Sequence, residues 1–126
     1  MIIGVGIDIL SIDRLRGVIL RRGSFNLARR ICCPREFIEF KALPRIEDVQ
    51  LRFLASRWTA KEAAYKALPF PRVTWKSLDL RYMSNGRPTL HYISRTTEEK
   101  VTLLLSLSGD AGVVVGVVVV ESESPK

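Results

Sequence analysis

One long helical period, from about Glu47 to Leu68, dominates the chain: it begins after Pro44 and Arg45 and is closed by Pro69 and Pro71. Phe53, Leu54 and Trp58 recur at helical spacing, and RWTAKEAAYKAL (Arg57 to Leu68) lines up Trp58, Glu62 and Tyr65 or Lys66 one turn apart. Glu62 falls where packing alone would place an apolar residue, and Trp58 and Tyr65 are expected to hold the helix in the core. A carboxylate there needs a partner, a cation or a metal. An i, i+4 pair with Lys66 is one answer, worth roughly 0.2–0.5 kcal/mol on an exposed helix.

A second carboxylate stands in a similar position. Asp8 interrupts the apolar run Ile2 to Leu10, which is a buried strand over Ile2 to Ile9 because Ile and Val favour sheet while Gly4 and Gly6 weaken a helix. Mg²⁺ and other hard cations are held by one or two carboxylates, with water and phosphate oxygens completing the shell. If the Asp8 strand packs beside the long helix, Asp8 and Glu62 would share such an ion near Arg57, Lys61 and Lys66.

Ser11 caps a helix with the apolar stripe Ile12, Leu15, Val18 and Ile19, and Arg14, Arg16, Arg21 and Arg22 make the rest basic. Such a face suits an acidic partner or is simply solvated. Gly23 ends it, Phe25 to Ile31 forms a short helix, and Pro34 starts a third at its first turn. After Pro71 the period becomes two. Leu78, Leu80 and Tyr82 lead through Ser84-Asn85-Gly86 into Thr89 to Ile93, and Val101 to Ser108 pairs with Val113 to Glu121 around Gly109 to Gly112. One strand, several helices and then several strands read as α+β, in a chain of 126 residues with room for one domain.

Twenty Lys and Arg against thirteen Asp and Glu give +7, which favours an anionic partner: nucleic acid, a phosphorylated small molecule or an acidic protein. Basic and aromatic residues do not interleave as a stacking platform, and no zinc or helix-turn-helix signature occurs, so nucleic acid is not expected. Adjacent Cys32 and Cys33 cannot readily pair with each other, which fits a reducing, intracellular compartment, with packing or helix capping as their role. His91 reads as a strand residue. The apolar tract Leu103 to Val120 contains Ser106, Ser108, Asp110 and three glycines, so two strands rather than a membrane span are expected. Neither a secretory signal nor a transit peptide is legible.

Several segments carry a resemblance. GVGIDILSIDRLR, RFLASRWTAKEAAYKAL, TWKSLDL, NGRPTL and LSLSGD, in this order over nearly the whole chain, resemble the holo-acyl-carrier-protein synthase family, the small 4'-phosphopantetheinyl transferases. The resemblance implies one module over residues 1–126, a long central helix on a mainly antiparallel sheet. It implies Mg²⁺-dependent transfer of 4'-phosphopantetheine from coenzyme A, the co-substrate, to a serine of an acyl carrier protein, releasing adenosine 3',5'-bisphosphate. Asp8, in the GIDI motif, and Glu62, in the KEA motif, match the family's metal ligands, with Asp8, Glu62 and Lys66 the catalytic set. Arg57, Lys61, Lys66, Asn85, Gly86, Arg87, Pro88 and Ser108 would contact coenzyme A, Lys61 being able to point outward instead. Arg14, with Arg21 and Arg22, would dock the carrier.

Glu62 and a metal-bound water or hydroxide are both reasonable acceptors of the serine proton. Gly109 stands where the family has His after Ser-X-Ser, so that contact to coenzyme A is absent or supplied elsewhere. Larger relatives carry two modules around one coenzyme; a single module implies an oligomer, a homotrimer, whose interface covers the Val-rich strands. The wording of RWTAKEAAYKAL and TWKSLDL resembles eukaryotic, particularly fungal, members, implying the mitochondrial matrix; otherwise the cytoplasm is expected. Two other classes compete: a basic module binding acidic proteins or nucleic acid without chemistry, and a different Mg²⁺-dependent phosphoryl enzyme.

Overall fold

The computed structural model describes residues 1–93 and 100–123. Strand β1 (Ile2–Ser11) runs directly into helix α1 (Ile12–Arg22), whose start is fixed by the Ser11 hydroxyl accepting from the Arg14 amide at 3.2 Å. Gly23, at φ 85°, ends α1 and leads into α2 (Ser24–Ile31). Helix α3 (Pro34–Ala42) is capped by Cys33, whose amide donates to Glu36 Oε1 at 2.9 Å. Helix α4 (Glu47–Ala67) follows, then a 3-10 turn at Trp75–Ser77 and strands β2 (Leu78–Tyr82), β3 (Pro88–Tyr92), β4 (Val101–Asp110) and β5 (Val113–Ser122).

The sheet order is β1-β5-β4, antiparallel throughout, with β2 and β3 a separate antiparallel pair whose β3 packs beside β4. Helix α4 lies across the inner face of the larger sheet. The strands reach further than expected at the last hairpin: β4 includes Gly109 and Asp110, and only Ala111 (φ 53°) and Gly112 (φ 79°) form the turn. Two successive positive φ values match the right-handed twist of the flanking strands.

The face that α4 buries differs from the aromatic stripe expected above. Ala60, Ala63, Ala64 and Ala67 meet the sheet, Leu51, Leu54 and Ala55 meet the other helices, and Tyr65 is 62% exposed while Trp58 is half-buried. The reason is distance. A Cβ at Gly4 would run into the Ala67 carbonyl, and one at Gly6 into the Ala63 carbonyl, so β1 and α4 touch backbone to backbone and only small residues fit between them. Glu62 therefore stands at the rim of the helix–sheet contact, half-buried, rather than within a core stripe.

Cys32 and Cys33 are both buried, and burial, reinforced by Glu36, pushes the Cys32 thiol up to about 12, so it packs as a neutral side chain. Among the described residues no helix is long and apolar enough to cross a membrane.

Candidate active site

The close docking of β1 on α4 brings Asp8 to Glu62. On β1, Gly4, Gly6, Asp8 and Leu10 alternate onto the face that meets the helix, so the contact the glycines allow also delivers Asp8 to it. Glu62 holds its proton above the ordinary carboxylate range: partial burial is the larger cause and the nearby Asp8 carboxylate adds to it, while Lys66 and Arg14 pull the other way. Two neighbouring carboxylates form a donor set of hard oxygens suited to a divalent cation. The residues present thus fit Mg²⁺.

Lys66 supplies positive charge at this position. Its Nζ donates to the Ile7 carbonyl at 2.9 Å and to Asp8 Oδ1 at 3.2 Å, so the ammonium pairs with Asp8 across the helix–strand junction rather than with Glu62 one turn back. Arg14, at the start of α1, is near enough to act on Glu62 electrostatically. The basic helix therefore begins beside the carboxylates. Glu62 also lines a cavity of about 320 Å³, with Tyr65, Val73, Thr74, Trp75 and Leu78 among its walls.

The charged ends of Arg57 and Lys61 do not join this group, although Lys61 lines the same cavity as Glu62. Helical rotation turns both toward α3: the Arg57 guanidinium lies 3.6 Å from the centre of the Phe53 ring and 5.5 Å from that of Tyr82, with Glu39 Oε1 3.5 Å from its Nη2. Its Nε is buried without a hydrogen-bond partner, which leaves donor capacity for a ligand. Lys61 is corrected outright. The expectation of an ammonium free to contact coenzyme A fails because Lys61 is buried and its Nζ is taken by Glu36, the Ile31 carbonyl at 2.7 Å and the Trp75 carbonyl at 2.9 Å.

Ser108 and Gly109 line a different cavity, of about 220 Å³, with Arg52, Ser56 and Tyr82. A Cβ at Gly109 would meet Val113 O at 3.4 Å, an ordinary contact, so packing does not forbid a side chain there. In the β2–β3 turn, Gly86 has φ 88°, and Asn85 Oδ1 accepts from the Arg87 amide at 2.9 Å; Arg87 is exposed and Pro88 begins β3. Within one chain the expected residues thus fall into two groups: Asp8, Glu62, Lys66 and Arg14 in one, and Arg57 and Ser108 near Ser56 and Tyr82 in the other. Arg21 and Arg22 are exposed at the end of α1 and line a further cleft with Trp58 and Trp75.

Cys33, Glu36 and Asp79 also cluster, yet their charge is already met. Lys61 pairs with Glu36, and although burial would push the Asp79 carboxyl up, hydrogen bonds from Arg35 and Arg81 hold it at about 2. None of these three ion pairs was expected from the sequence, although Glu36 and Lys61 each stood out. The spacing of Cys33 and Glu36 is that of a capping box, and Lys61 stands among alanines, so both carried a signal.

A family model described as the 4'-phosphopantetheinyl transferase superfamily matches residues 4–118. A holo-[acyl-carrier-protein] synthase of Streptomyces avermitilis is 39% identical over 127 aligned positions, covering 95% of this chain and 98% of the relative. The crystal structure of the Neisseria meningitidis holo-[acyl-carrier-protein] synthase superposes with a TM-score of 0.81 at 27% identity, covering 97% of this chain and all of that one. That of the Bacillus anthracis holo-(acyl-carrier-protein) synthase in complex with CoA (3',5'-ADP) gives 0.77 at 29% identity, covering 98% and 99%.

Proposed function

The chain belongs to the 4'-phosphopantetheinyl transferase superfamily, and on that footing we propose that Asp8, Glu62 and Lys66 carry out Mg²⁺-dependent transfer of 4'-phosphopantetheine from coenzyme A to a serine of an apo acyl carrier protein. The observation that carries this reading is the meeting of Asp8 and Glu62, where the Asp8 charge helps to hold the proton on Glu62, with Lys66 donating to Asp8. In the transfer the serine oxygen bonds to the phosphorus bearing pantetheine, the bond from that phosphorus to the bridging oxygen breaks, and adenosine 3',5'-bisphosphate leaves. Glu62 receives the serine proton, its raised proton affinity suiting it to a base. Lys66, on a long exposed side chain, exchanges Asp8 for the charge developing on the leaving phosphate. Mg²⁺, held by Asp8 and Glu62, would neutralise the pyrophosphate and polarise the attacked phosphorus. Release of adenosine 3',5'-bisphosphate only when coenzyme A, apo carrier and Mg²⁺ are all present tests this assignment; release without carrier would contradict it.

Arg14 acts on Glu62 and sits at the head of the basic helix, so a carrier docked along Arg14, Arg21 and Arg22 presents its serine to the carboxylates. Arg14→Glu is expected to raise KM for the carrier by about tenfold or more while leaving coenzyme A binding near wild type. An unchanged carrier KM would remove Arg14 from the docking surface.

The second group of residues, Arg57 and Ser108 with the Asn85–Pro88 turn, supplies the coenzyme's nucleotide end from a neighbouring copy. What supports self-association is the outer face of the large sheet. Val5, Ile7 and Ile9 are 61%, 59% and 65% exposed, beside Val115, Val117, Val119 and Leu104, an apolar surface that a second copy would cover and that suits a homotrimer. Ile7→Asp is expected to give a monomer by sedimentation and to lose activity, because the two groups of residues no longer meet. A monomeric wild-type protein with full activity would contradict the shared site. The relatives named above are bacterial, which lends the cytoplasmic assignment weight and the mitochondrial one none.

A further inference from the structure

A buried ion pair that the reaction above does not use joins several elements of the fold. Glu36 on α3 and Lys61 on α4 have almost no solvent contact. Lys61 Nζ donates to Glu36, to the Ile31 carbonyl at the end of α2 and to the Trp75 carbonyl, while Glu36 accepts from the Cys33 amide at 2.9 Å and the Leu80 amide at 2.7 Å. Stability alone does not account for it, since replacing a buried pair by apolar residues of similar volume is often neutral or favourable. What apolar residues cannot do is hold backbone groups by directed bonds.

Two of those groups, the Trp75 carbonyl and the Leu80 amide, flank the 3-10 turn and the start of β2. The same segment supplies Val73, Trp75 and Leu78, which face Glu62 and Tyr65 in the 320 Å³ cavity. Within the turn the polar bonds run from the Thr74 amide to Ser77 Oγ and from the Ser77 amide to the Thr74 carbonyl, and the Ile93 amide, just past the end of β3, donates to the Ser77 carbonyl at 2.7 Å. To α4 the turn is held by the Trp58–Trp75 ring contact, at 5.3 Å between centroids, and by the directed bond from Lys61, one position before Glu62.

We propose that Glu36 and Lys61 are positioning residues: by holding the Trp75–Ser77 turn and β2 against α4, they fix the wall of the cavity at Glu62 and with it the seating of coenzyme A. The proposal rests on the transferase reading above. Its test is the double variant Glu36→Leu with Lys61→Met, compared with wild type in melting temperature, in kcat and in KM for both substrates. In a Trp58→Phe background, which keeps an aromatic ring against Trp75, Trp75 is the sole tryptophan, and its acrylamide quenching with and without the pair in that same background reports the wall.

The double variant is expected to fold but to melt below wild type, because the Cys33 and Leu80 amides and the Ile31 and Trp75 carbonyls lose these partners, with carrier KM unchanged. Its kcat should fall roughly tenfold, its coenzyme A KM should rise severalfold and quenching of Trp75 should increase. A folded double variant with wild-type kcat, both KM values and Trp75 quenching would overturn the proposal, leaving the pair a filler of the core. If that variant fails to fold, Glu36→Gln, which keeps the shape and one acceptor, is read by the same criteria, and wild-type values there overturn the proposal equally. A wild-type protein inactive with every apo carrier would instead reject the transferase reading, and quenching alone would then decide whether the pair holds the wall.

Discussion

Glu62→Gln and Asp8→Asn are each expected to lower the rate of phosphopantetheine transfer by about 10²- to 10⁴-fold while the protein keeps its fold. Both residues sit at the rim of the α4–β1 contact, and both substitutions keep side-chain shape, so no cavity opens. What disappears is half of a hard-oxygen donor set, and with Glu62 the proton acceptor as well. Binding of Mn²⁺, followed by its electron paramagnetic resonance signal, should weaken in both variants.

The pH dependence separates the two residues. Glu62 is raised by burial first and by Asp8 second, so on acidification it takes up its proton above the ordinary glutamate range, and cation binding is lost there. Removing the Asp8 charge takes away one of the two causes. The acid limb of any residual metal binding in Asp8→Asn should therefore move to lower pH, yet stay raised because burial remains. An acid limb at the same pH in wild type and Asp8→Asn would show that the two carboxylates do not interact.

The second large effect is structural. Gly6→Val places a branched side chain where even a Cβ collides with the Ala63 carbonyl and presses on the Ala67 amide. Overpacking of side chains costs about 1–3 kcal/mol, and here the obstacle is helix backbone, which cannot rotate away. The melting temperature is expected to fall by roughly 10 °C or more. Whatever folded protein remains must hold β1 away from α4, separating Asp8 from Glu62, so transfer should fall further than the unfolded fraction explains. Gly112→Val is the contrast, since a Cβ there meets no atom within 4 Å and the φ of 79° is what resists it. It should be destabilising but should leave the active site intact. Equal losses of transfer at the two positions, corrected for folded fraction, would contradict the role given to the β1–α4 contact.

The elements were legible because each carries its own local signal. Ser11 before Ile12, Gly23 after Arg22 and the prolines after Leu68 bound their helices by capping and breaking chemistry that acts over one turn. Glu62 and Asp8 were legible as polar residues in apolar surroundings, and the resemblance named the same pair.

What escaped depends on how elements meet. Gly4 and Gly6 read as helix weakeners, whereas their larger role is to admit α4 at backbone distance, a property of two segments nearly sixty residues apart. Helical spacing puts Trp58 and Tyr65 on one stripe facing the core, yet the close docking reserves the sheet-facing stripe for alanine. Lys61 and Arg57 share a sequence motif with Glu62 and Lys66, but a helix turns about 100° per residue, and this sends the first two toward α3. Glu36, the partner that fixes Lys61, lies on a different helix, and no local pattern joins them.

The intact mass of an apo acyl carrier protein, incubated with this protein and coenzyme A in the presence of Mg²⁺ or of a chelator, reads the transfer and its cation dependence together. A gain of one phosphopantetheine on the carrier serine is expected with Mg²⁺, none with chelator, and none with Glu62→Gln over the same interval. A carrier mass that stays unchanged with wild type and Mg²⁺, or that rises equally when the cation is removed, would contradict Mg²⁺-dependent transfer.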